Sequence, residues 1–134
     1  MRKDFVIPEV KGVSVAIINE EVEGEQGWYV YLINENKEEL KNVLVTSTGY
    51  KKEQDEVIKT STLRHMIADL PANSYARVES IMDDVFHLNN QYWVSFQKQG
   101  IMYDKKYIFI PDSIQDKNKT LVPVVGKSGI LISS

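Results

Sequence analysis

Runs with a period of two dominate this sequence and confine most of it to β-strands. Val13, Val15 and Ile17 alternate with Ser14, Ala16 and Ile18, and Trp28, Val30 and Leu32 with Tyr29, Tyr31 and Ile33. The same rhythm returns in Val43–Thr48, Gln91–Gln97 and Lys106–Ile110. Successive side chains of a strand point to opposite faces, so each run offers one face to a core. Most of these residues are β-branched or aromatic, which suits a pleated, half-buried surface. The spacers Glu20–Gly27, Asn34–Glu39 and Gln97–Gly100 carry turn residues.

Two further strands carry weaker signals. In Tyr75–Ile81, the residues Tyr75, Arg77, Glu79 and Ile81 alternate with Ala76, Val78 and Ser80. Thr62–Ala68 is ambiguous, because Leu63, Met66, Ile67 and Leu70 also fall at helical spacing behind a capping Ser61 or Thr62. A strand is the favoured reading, and Leu70-Pro71-Ala72-Asn73-Ser74 then becomes a turn between two strands.

The total is about seven strands with no helix over ten residues. The expected fold is therefore all-β: one antiparallel β-sandwich, immunoglobulin-like or fibronectin type III-like, over residues 1–111. Residues 112–134 are expected to form an extended C-terminal arm, packed on the same domain or on a partner subunit. The core candidates are Val15, Ile17, Trp28, Val30, Leu32, Val43, Val45, Tyr92, Val94 and Phe96. Lys51–Glu56 reads as mixed charge inside a loop of about a dozen residues.

Composition narrows the chemistry. The chain of 134 residues has no cysteine, which removes disulfides, thiolate zinc sites, iron–sulfur clusters and cysteine nucleophiles together. A net charge of −3 argues against a general nucleic-acid binder. Behind Met1-Arg2-Lys3, the apolar run ends at Pro8, and the longest apolar run elsewhere is the six residues Trp28–Ile33. Neither suits a secretory signal or a membrane span, so a cytoplasmic location is expected.

No catalytic motif emerges, and neither an enzyme nor a cofactor is expected. His65 and His87 lack metal-ligand spacing with Asp69, Asp83 or Asp84, and His65 reads as a hydrogen-bonded core residue level with Leu63 and Ile67. Gly126-Lys127-Ser128-Gly129 resembles the end of a phosphate loop but has Leu121 where that loop needs glycine, so it is expected to be a turn between Val125 and Ile130. Glu20, Glu21, Glu23 and Glu25 read as a solvated hairpin tip.

The aromatics are more informative. Tyr29, Tyr31 and Trp93 fall opposite the faces assigned to the core. They therefore lie either under the C-terminal arm or a dimer partner, or on a face that takes a ligand or partner. A protein partner or a second copy of the chain is the expected occupant.

Ile7-Pro8-Glu9-Val10-Lys11, Trp28–Asn34, the stretch from Arg64-His65 to Leu70-Pro71-Ala72-Asn73-Ser74, Leu88-Asn89-Asn90 and Tyr103-Asp104-Lys105-Lys106-Tyr107 carry a resemblance. Over nearly its whole length the chain resembles a family of short bacterial proteins often labelled "phenylalanyl-tRNA synthetase subunit alpha". The label implies aminoacylation and tRNA binding, or an accessory role in translation. A class II synthetase core is more than twice this length and needs arginine-bearing ATP motifs, whereas the only arginines here are Arg2, Arg64 and Arg77. No catalytic residue transfers, and the label reads as a mis-annotation.

Overall fold

The computed structural model describes residues 8–134. Met1–Ile7, on which the reading of the N-terminus rests, lies outside the described residues. Ten strands, not seven, form two antiparallel sheets of five strands each. The strands are β1 (Val13–Val22), β2 (Glu25–Asn34), β3 (Leu40–Glu53), β4 (Glu56–Lys59), β5 (Leu63–Leu70), β6 (Ser74–Ile81), β7 (Asn89–Lys98), β8 (Ile101–Phe109), β9 (Thr120–Val122) and β10 (Lys127–Ile132). The first sheet has the order β6-β2-β1-β10-β9. The second has the order β4-β3-β7-β8, with β5 also paired to β3.

The three additional strands lie where alternation is silent. Lys51–Glu56 is not a long loop: β3 runs through it to Glu53, turns at Gln54-Asp55 and returns as β4. Every residue of β4 is exposed, so no buried face marks it in the sequence. In β9 and β10 the pattern is cut by Pro123 and Gly129, and β10 pairs with β1 in the first sheet. The turn joining them spans Pro123–Gly126, so Lys127, Ser128 and Gly129 are strand residues rather than the expected turn. Thr62–Ala68 lies mostly in strand β5, followed by the Pro71–Asn73 turn.

The tight hairpins follow turn chemistry. Glu23-Gly24 and Gln99-Gly100 both have positive φ at each position, the geometry of two-residue turns whose twist matches the flanking strands. Side chains from both sheets meet in one core, which contains Val15, Ile17, Val30, Leu32, Val43, Val45, Tyr92, Val94 and Phe96, with Trp28 packed against it. Each is a residue that the period-two pattern turns inward. Within this core, the Tyr107 hydroxyl donates to the Val13 carbonyl and ties β8 to β1 across the sheets.

Candidate functional site

The three aromatics singled out by the sequence fall on the outer faces of different sheets. On the first sheet, Ala16, Ile18, Tyr31, Ile33 and Val122 form a second apolar cluster, with Tyr29, Val125 and Leu131 packed against it. Strand β9 and the turn after it thus cover part of that face, and Tyr75 at its β6 edge stays exposed. Tyr31 is only 2% exposed and Tyr29 is half-buried.

The covered face has polar chemistry at its rim. Glu20 is not part of a solvated tip: its side chain is 7% exposed, pairs with Lys127 and accepts a hydrogen bond from the Tyr31 hydroxyl. Burial alone would raise the Glu20 pKa, but the hydrogen bonds from Lys127 and Tyr31 outweigh it and hold the carboxyl below its usual range. Burial and the adjacent carboxylate push the Tyr31 phenol up. The Nε of Arg77 donates to the Tyr31 hydroxyl at 3.3 Å, and its guanidinium lies 5.7 Å and 5.6 Å from the Tyr29 and Tyr31 rings. These groups satisfy one another, so the arrangement holds the arm in place.

Trp93 stands on the other sheet. Register aligns Arg64, Thr46, Trp93 and Lys106 in one row across β5, β3, β7 and β8. The next row holds Met66, Leu44, Ser95 and Asp104. On the central strands, none of the outward-facing Leu44, Thr46, Thr48, Gln91, Trp93 and Ser95 is buried. Trp93 is 43% exposed, Met66 is exposed, and the Lys106 ammonium sits 4.7 Å from the Trp93 ring centroid. Tyr29 and Tyr31 therefore share one face, and Trp93 belongs to another.

A third constellation lies where the sheet edges approach. Strand β6 bulges between the pairs Val30↔Glu79 and Tyr31↔Arg77, leaving Val78 as the extra residue. Arg77 stays on the outer face beside Tyr31. Glu79 is shifted one step and faces inward beside Val30, instead of sharing a side with Tyr75 and Arg77 as strict alternation requires. Its Oε1 accepts from Ser47 at 3.0 Å and bonds His65 Nε2 at 2.6 Å, and its Oε2 accepts from Tyr92 at 3.2 Å. Glu79 on the first sheet thus holds three side chains of the second. Burial, with the Glu79 charge next, drives the Tyr92 phenol far above its usual range. Serine and histidine both bond the carboxylate, whereas a nucleophilic triad needs the serine bonded to the histidine.

Beside this hub lies a cleft of about 320 Å3, lined by Ser47, Thr60, Ser61, Leu63, Glu79, Asp84, Asn90 and Tyr92 among others. Among the described residues, no group of three or more His, Asp or Glu side chains is placed to hold a metal ion, and no helix is long and apolar enough to cross a membrane. No protein-family model and no curated protein matches the chain.

Proposed function

We propose that this protein is a non-catalytic binding module that docks a protein partner on the outer face of its second sheet. The observation that carries the reading is Trp93, standing open at the centre of a face that nothing in the described chain covers. Large exposed apolar patches on sheet faces mark interaction sites, and Trp is among the residues that most often dominate binding energy. Arg64 and Lys106 flank Trp93 in its own row, and the row beside it holds Met66 and Leu44 with Ser95 and one acidic residue, Asp104. That chemistry suits a partner segment presenting an apolar side chain with carboxylates on either side. The architecture underneath is read as a β-sandwich of the immunoglobulin or fibronectin type III kind, supported by a core that draws on both sheets. The binding activity is placed in the cytoplasm, in keeping with the short apolar runs of the sequence.

Affinity capture from lysate of the protein's own source tests this reading, with wild type, Trp93→Ala and Tyr29→Ala as parallel baits. The reading expects one recurrent protein, retained by Tyr29→Ala and lost with Trp93→Ala. Capture of RNA that is lost steeply with salt would replace it with the translation reading attached to the family label. A concentration-dependent dimer abolished by Trp93→Ala would make a second copy the occupant and overturn the choice of a foreign partner.

A further inference from the structure

The cleft beside Glu79 meets the Trp93 face at Thr48 and Gln91, but Trp93 itself does not line it. We propose that it binds a small primary alkylammonium compound. At about 320 Å3 it falls at the lower end of small-molecule sites, large enough for a short chain with one polar head. Both charged residues in its lining, Glu79 and Asp84, are carboxylates, and no lysine or arginine lines it. An anionic ligand would meet two like charges there. A cation meets opposite charge, and the basic group already on Glu79, His65, bonds Oε1 and not Oε2.

The hydrogen-bond inventory points the same way. Glu79 Oε1 is engaged by Ser47 and His65, but Oε2 takes only the Tyr92 hydroxyl. A carboxylate offers about four lone-pair positions, so Oε2 keeps one. Asn90 is only 5% exposed, and its amide nitrogen is spent on the Val85 and Leu88 carbonyls. Its side-chain oxygen accepts no hydrogen bond from a described residue, yet it is not among the buried atoms sealed from solvent. That oxygen is therefore an acceptor available to a donor entering the cleft. An ammonium head brings three donors and no acceptor, matching the open acceptors of Glu79, Asp84 and Asn90. Leu63, Ile81 and Val85 supply an apolar wall for the alkyl chain.

The test is an amide-resolved NMR titration of the full chain with n-pentylamine, with 1-pentanol as the neutral match. The proposal expects saturable shifts for the amine at Thr60–Leu63 and Asn90–Tyr92, and at least tenfold weaker binding of the alcohol. Glu79 also ties the two sheets together, so Asp84→Asn, at an exposed position in a short 3-10 turn, is the decisive variant. It should weaken the amine at least fivefold and leave the rest of the spectrum intact. Trp93→Ala should leave the amine titration unchanged, which keeps this site independent of the docking face. Equal binding of the alcohol, amine shifts mapping away from the cleft, or unchanged affinity in Asp84→Asn would each overturn the proposal.

Discussion

Glu20 shows how one buried residue changes the meaning of its neighbours. Four glutamates in eight positions look like a solvated tip, but only register shows that Glu20 precedes the turn and faces Tyr31 and Lys127. Removing its carboxylate strands the buried Tyr31 hydroxyl without its acceptor, so Glu20→Ala should cost about 2 kcal/mol in chemical denaturation. The pH dependence has a definite sign. A carboxyl held below its ordinary value of 4.5 adds stability that is fully present above that pH and is lost as pH falls through the folded value. The stability gap between wild type and Glu20→Gln should therefore be wider at pH 7 than at pH 3. Inside the core, Tyr107→Phe removes a hydrogen bond to the Val13 carbonyl and should cost about 1 kcal/mol with little change in the far-ultraviolet spectrum.

The strands that form the core were legible wherever alternation has an apolar face to report. Val13–Ile18, Trp28–Ile33, Val43–Thr48 and Gln91–Gln97 all lie within strands, with the inward residues on the expected side. Strand β4 was not legible because it buries nothing. The bulge in β6 was not legible either, since Val78 looks like any other strand residue and only pairing with β2 shows it to be the extra one. The site around Glu79 depends on that bulge and so lay outside the reach of periodicity. Gly129 marks a close approach that the sequence does not announce: a Cβ there would sit 2.7 Å from Ile18 Cγ1 and 2.8 Å from the Ile17 carbonyl oxygen. One of those atoms is backbone and cannot swing aside. Gly129→Ala should accordingly cost about 1–3 kcal/mol and speed hydrogen exchange in β10 relative to β7.

At the scale of the whole molecule, the two sheets share one core but meet their surroundings differently. The first sheet packs Tyr31 and Tyr29 with residues of its own C-terminal strands and their turn, and leaves Tyr75 exposed at its β6 edge. The second leaves Trp93 unspent. Trp93→Ala should thus leave the unfolding midpoint nearly unchanged, because surface substitutions away from special features cost little. Tyr31→Ala, which empties a buried position, should lower it by several degrees. Hydroxyl-radical footprinting tests the central claim most directly, with the purified protein compared with the same protein in lysate of its source. The account predicts that Trp93 and Met66 are oxidised readily in the purified protein and protected in lysate, while exposed Met82, away from that face, reacts equally in both. Equal reactivity of Trp93 in the two samples, or protection confined to Met82, would contradict it.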